Sequence, residues 1–75
     1  MPKTVTGLNG ALTEIKSLGW EQVEDSNGER CMVDDIDLDP NTDDTQSEYV
    51  VDADTVTRLR DGFRAEIVWT LAEAA

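Results

Sequence analysis

Apolar residues recur along this chain at two different spacings, and the change from one to the other marks out the elements. Leu8, Ala11, Leu12, Ile15 and Leu18 follow steps of three and four, which lines one stripe of a helix over residues 7–18. Thr6 is placed to cap its start, and Gly19 stands where a left-handed C-terminal cap falls. Gly10 costs such a helix about 1 kcal/mol relative to Ala, or lets it pack closely on a sheet.

Beyond Gly19 the helical spacing is lost. Trp20 to Asp25 and Glu29 to Ile36 read as the two arms of a hairpin, because Asn27-Gly28 supplies the positive φ that a tight turn needs. Glu24 or Asp25 then faces Arg30 across the strands. Pro40 has no N–H to give to a ladder, so pairing ends there and Asp39 to Ser47 is expected to form a loop. Tyr49, Val50 and Val51 suit a short third strand.

After the third strand, Asp52 or Asp54 is placed to cap a second helix with Val56, Leu59, Phe63, Ile67 and Leu71 as its buried stripe. Asp61-Gly62 could stop that helix, and Phe63, Ala65, Ile67, Trp69 and Leu71 also fit the period of two of a final strand. Good helix formers through Ala75 favour the helix. The expectation is one α+β domain over residues 1–75: helix, hairpin, acidic loop, short third strand and C-terminal helix, with both helices on one face of a small antiparallel sheet. A chain of this length buries only about 60% of its unfolded surface, so Trp20, Tyr49, Phe63, Trp69 and the lone Cys31 are all expected in its core.

Charge changes this picture in one place. The net charge is −11, and between Arg30 and Arg58 there is no basic residue while Asp34, Asp35, Asp37, Asp39, Asp43, Asp44, Glu48, Asp52 and Asp54 all fall there. Such a surface repels nucleic acid and anionic membranes and attracts basic proteins. Arg58, Arg60 and Arg64 are expected to pair with nearby carboxylates. No apolar run approaches the ~18 residues of a membrane span and no secretory h-region follows Met1, so a cytoplasmic setting is expected.

Candidate chemistry is sparse. The chain has no histidine and one cysteine, which excludes an intrachain disulfide, a Cys/His zinc site and imidazole-based triads. Ser17, Ser26 and Ser47 have no base partner, and carboxylates in a solvated loop lack the desolvation that raises a catalytic pKa, so no enzyme is expected. Asp37, Asp39, Asn41, Asp43, Thr45 and Glu48 fall at relative positions 1, 3, 5, 7, 9 and 12, a spacing that resembles the calcium loop of the EF-hand. Thr42 stands where that motif needs Gly, and strands rather than helices are expected on its flanks. An ordinary solvated loop is the expectation, with calcium as a lesser alternative.

The sharper functional expectation rests on alternation. In an extended segment Asp35, Asp37 and Asp39 share a face at intervals of about 6.6 Å, of the order of the distance between phosphates on a nucleic-acid strand. Asp34, Asp35, Asp37, Asp39, Asp43, Asp44 and Glu48 are therefore the candidate partner-binding residues, acting on a basic protein surface such as one that holds nucleic acid. Small phage proteins that block restriction, CRISPR or DNA-repair enzymes share this size and charge. Asp25-Ser26-Asn27-Gly28-Glu29 is similar to a hairpin of the uracil-glycosylase inhibitors; the likeness spans five residues, and the order of elements read here differs from that family's. The alternative is salt adaptation, in which an Asp- and Thr-rich, lysine-poor surface needs no partner.

Overall fold

Threonine and β-branched residues dominate the architecture. The computed structural model describes residues 1–39, 41–60 and 64–72. Within them lie six strands, β1 (Lys3–Thr6), β2 (Gln22–Asp25), β3 (Arg30–Met32), β4 (Glu48–Val51), β5 (Thr55–Arg60) and β6 (Arg64–Ala72), and one α-helix, α1 (Leu8–Ser17). The strands form a single sheet in the order β1-β4-β5-β6-β2-β3, and every neighbouring pair is antiparallel.

The expected C-terminal helix and three-stranded sheet are thus overturned. Val56, Leu59, Ile67 and Leu71 match a helical stripe only by coincidence of spacing. Thr55, Val56 and Thr57, then Ile67, Val68 and Thr70, are β-branched residues that lose rotamer freedom in a helix and pack well on a pleated surface. The period of two is the one realised, with one irregularity. Val56 pairs with Trp69 but Thr57 with Ile67, so Val68 is an extra residue in β6. This bulge reverses the sidedness between them, leaving Ile67 54% exposed while Trp69 is 8% exposed. Asp52 and Asp54 cap no helix; they serve the β4–β5 turn, where Asp52 N–H donates to Thr55 C=O at 2.8 Å and Asp52 Oδ1 accepts from Ala53 N–H. Asp61, Gly62, Phe63, Glu73, Ala74, Ala75 and Pro40, used above in placing ends and core, lie outside the described residues.

Other expectations fared better. Helix α1 buries Ala11, Leu12 and Ile15, and ends as expected at Gly19, where Gly19 N–H reaches Lys16 C=O and Trp20 N–H reaches Ile15 C=O, both at 3.1 Å. At its start Thr6 gives no cap, because Thr6 belongs to β1, a strand that the sequence reading did not foresee. The hairpin forms with Glu24 opposite Arg30. Its loop holds three residues, Ser26, Asn27 and Gly28, closed by Asp25 N–H to Glu29 C=O at 2.9 Å, with Gly28 at φ 82°. The second arm stops at Met32, short of Ile36, because a 3-10 turn at Val33–Asp35 swings Val33 into the core.

Cys31 is exposed rather than buried. It faces Val23 from β3, the edge strand of the sheet, with no further strand beside it among the described residues. Trp20, Tyr49 and Trp69 do join the core, together with Ile15, Val23, Val33, Val51 and Val56. No helix among the described residues is long and apolar enough to cross a membrane.

One topological fact positions everything that follows. Strand β3 lies at one edge of the sheet and β4 near the other, so residues 33–47 must travel back past β2, β6 and β5. They do so on the core side: α1 packs on β1 and β4, while Val33, Ile36 and Leu38 of the crossover pack against the core. The acidic stretch is half of the roof over the sheet.

Candidate acidic interface and cleft

The crossover divides into two parts. In residues 34–39 the apolar and acidic side chains alternate: Ile36 and Leu38 are half-buried, while Asp34, Asp35, Asp37 and Asp39 are exposed. Ile36 is extended, at φ −74° and ψ 117°, so the alternation follows from strand-like backbone although no partner strand lies beside it among the described residues. The carboxylates of Asp34, Asp35 and Asp37 make no ion pair or hydrogen bond with another described residue. Their repulsion is uncompensated.

From Asp39 onward the acids turn to the backbone. Asp39 Oδ1 accepts from Asn41 N–H at 2.9 Å, the Asp43 carboxylate accepts from Asp39 N–H, and Asp43 N–H donates back to Asp39 C=O at 2.7 Å. Asp44 goes further. Its Oδ1 accepts from Gln46 N–H at 3.0 Å and Ser47 N–H at 2.9 Å, and its Oδ2 accepts from the Tyr49 hydroxyl at 3.1 Å and lies 3.7 Å from Arg58 Nη1. Hydrogen bonds from Ser47 above all, then Gln46, hold the Asp44 carboxyl far below the usual carboxylate range, with burial opposing and Tyr49 assisting. Tyr49 in turn is pushed up by burial first and by Asp44 second.

This knot docks the crossover on the helix. Gly7 N–H donates to Ser47 C=O and Leu8 N–H to Asp44 C=O, both at 2.8 Å, so backbone carbonyls of the acidic stretch satisfy N–H groups at a helix start that Thr6 does not cap. The approach is close enough that a Cβ on Gly7 would stand 3.2 Å from Thr45 O, and Gly7 adopts φ 80°. Two separate constraints require glycine there.

Of the seven candidate residues, the structure therefore brings four together on the outward side of the crossover, Asp34, Asp35, Asp37 and Asp39, while Asp43 is half-buried at the turn that follows. Asp44 faces inward as a latch. Glu48 sits on β4 opposite Thr6 and Leu59, on the sheet face away from Tyr49 and the helix. The same separation undoes the calcium spacing, since Asp39 and Asp43 already bind backbone N–H groups and Glu48 points elsewhere. Among the described residues no three acids converge as metal ligands.

Beneath the end of the crossover lies a cleft of about 570 Å³ that the sequence reading missed. Its floor is Tyr49, Arg58, Glu66 and Trp69 from β4, β5 and β6, and its rim is Asp25 and Ser26 of the hairpin facing Thr42 and Asp43. Arg58 pairs with carboxylates as expected: its Nη2 lies 2.7 Å from Glu66 Oε2 across the β5–β6 ladder, and the Glu66 contact raises its pKa most. Arg58 Nε is buried and meets no acceptor among the described residues. The signal for this site was the alternation of Arg58 with Val56, which places a charge on the inward face of a strand and has no such meaning on a helix.

Comparison with protein-family models, with characterised proteins and with solved structures gave no match. The five-residue likeness at Asp25–Glu29 rests on the turn alone.

Proposed function

We propose that this chain is a small acidic binding protein that occupies a basic site on a partner protein, its carboxylates standing where nucleic-acid phosphates would otherwise lie. The observation that carries this reading is the sidedness of residues 34–39. Ile36 and Leu38 anchor the segment to the core and leave Asp34, Asp35, Asp37 and Asp39 outward. The segment is tied at both ends, by Val33 N–H to Glu21 C=O at 2.8 Å and by the Asp44 knot. A charge row already held in place loses little conformational freedom on binding, and electrostatic complementarity then speeds encounter and selects the partner.

The test is charge reversal with competition. A partner captured from the native host is purified, and binding of the wild type is compared with Asp34→Lys, Asp35→Lys and Asp37→Lys combined, three positions whose carboxylates hold no structural bond. Binding should be lost with the fold intact, should weaken steeply with salt, and should be displaced by excess DNA or RNA. Full affinity in the folded triple variant, or indifference to nucleic acid, would overturn the reading.

One observation favours a second reading. Exposed acids also lie away from the crossover, Glu48 on the outer sheet face and Glu29 at the hairpin, as general salt adaptation would place them. Under that reading the protein folds only in molar salt; a protein well folded in 0.1 M salt removes it.

A further inference from the structure

We propose that the outer face of the sheet, turned away from α1 and the crossover, is the surface on which two copies of this chain pair. The ladder registers place Val50, Leu59, Ala65 and Ile67 around Thr57 on that face. Thr57 lies opposite Val50 and Ile67, while Leu59 lies opposite Ala65 and diagonal to both, so the five side chains form one continuous patch on β4, β5 and β6. Leu59 is 41% exposed, and it is the extra residue at Val68 that turns the still more exposed Ile67 to this side. A contiguous apolar patch at the middle of a sheet marks an interaction surface.

Charge and shape select a second copy as its occupant. Among the described residues the outward ladder positions carry two acids and one base, Glu24, Glu48 and Arg30, a net of −1 in a chain of net charge −11. A basic protein is drawn to the crossover side, so the surface that meets this face must be flat, near neutral and built of aliphatic and threonine side chains. The face is itself such a surface. A two-fold axis lays it on its own copy, sheet on sheet at about 10 Å as in β-sandwiches. Each acidic crossover then stays outside, separated from its twin by both sheets and their covering layers, roughly 30 Å and beyond the Debye length at physiological salt. The area suffices too: the molecule measures 37 × 28 × 24 Å, so even its smallest side offers roughly 700 Å², close to the ~800 Å² per partner of a stable interface. A short chain whose sheet is covered on one side gains a second core in this way.

The experiment is sedimentation equilibrium of the full chain from micromolar to millimolar concentration, at low and at raised salt, with reductant present so that Cys31 links no chains. The mass should rise from the 8.3 kDa of one chain toward twice that value. Association should hold or tighten as salt rises, opposite to the response of a partner held by the acidic row. Amide signals of the 15N-labelled wild type should shift with concentration, centred on Val50, Thr57, Leu59 and Ile67. Leu59→Thr combined with Ile67→Thr keeps strand-forming residues at both positions while removing the apolar contact, and should weaken the dimer about tenfold or more. The wild-type shift map decides the location whether or not that variant folds. A chain still monomeric at millimolar concentration, association that falls steeply with salt, shifts centred on the crossover or on β3, or full association by the folded double variant would each overturn the proposal. These outcomes are separate from failure of the binding reading, which is judged by the Asp34, Asp35 and Asp37 reversal on the opposite side of the molecule.

Discussion

The two halves of the acidic crossover use one residue type for opposite ends. Asp37 and Asp44 belong to the same charged stretch, yet Asp37 stands in solvent with no described partner while Asp44 accepts from two backbone N–H groups and a buried tyrosine hydroxyl. What separates them is the local need for acceptors. Around Asp37 the half-buried Ile36 and Leu38 supply the attachment, so the acid is left outside. Around Asp44 the chain must turn and cover Tyr49, which exposes the N–H groups of Gln46 and Ser47 and the tyrosine hydroxyl as donors that the Asp44 carboxylate satisfies, while its backbone carbonyl meets the helix start.

The largest effect should come from breaking the inward half. Asp44→Ala leaves the Tyr49 hydroxyl buried without its acceptor, frees the N–H groups of Gln46 and Ser47 and removes one partner of Arg58. Urea unfolding should show a loss of about 3 kcal/mol, and Asp44→Asn, which keeps an acceptor, a smaller one. A loss below about 1 kcal/mol in the alanine variant would mean that the knot does not hold the crossover down.

Next in size is Gly7→Ala. A methyl group 3.2 Å from Thr45 O at φ 80° strains both the helix start and the docking of the knot. The expected cost is about 1–2 kcal/mol, read from the same unfolding curves. Gly28→Ala has room, with only Glu24 Oε1 3.7 Å away, and should cost less, about 1 kcal/mol for its backbone conformation alone.

The inward half should also respond to acid. Asp44 has a folded pKa depressed below its unfolded value, so its stabilisation is present above the ordinary carboxylate range and is lost progressively as pH falls through that range and below. The acid limb of the stability curve is therefore steeper in the wild type than in Asp44→Asn, and thermal melts of the pair between pH 5 and pH 2 check this. Parallel limbs would show that Asp44 titrates alike in both states.

How much of this was legible beforehand follows from the reach of each signal. Helix α1, its end at Gly19 and the 25–29 turn are set by residues within a few positions of one another, and they stand where the spacing placed them. The outward side of residues 34–39 was legible for the same reason, as alternation. The C-terminal half was not, because the sheet that selects strand over helix pairs β6 with β2, residues far apart in sequence, and because the bulge at Val68 scrambles the very alternation that would have revealed it. Asp44 could not be told from Asp43 by type or charge; only its distance to Tyr49 and Arg58, supplied by the sheet, makes it a latch. The cleft was hidden with it, since its walls come from six separate segments.

The smallest expected effect sharpens the comparison from its outward side. Asp34→Asn, Asp35→Asn and Asp37→Asn together remove three charges that no described residue compensates, in a protein of net charge −11. No hydrogen bond of the fold is lost, and the repulsion relieved is that of exposed groups, which water and salt already screen. Stability should rise by only about 0.5 kcal/mol at low ionic strength, and the gain should fade as salt is raised toward 1 M, where the Debye length shrinks to about 3 Å. Thermal melts of wild type and triple variant over that salt range make the measurement. If the variant is instead destabilised at every salt concentration, these carboxylates hold something in place, and the division of the crossover into an outward row and an inward latch is wrong.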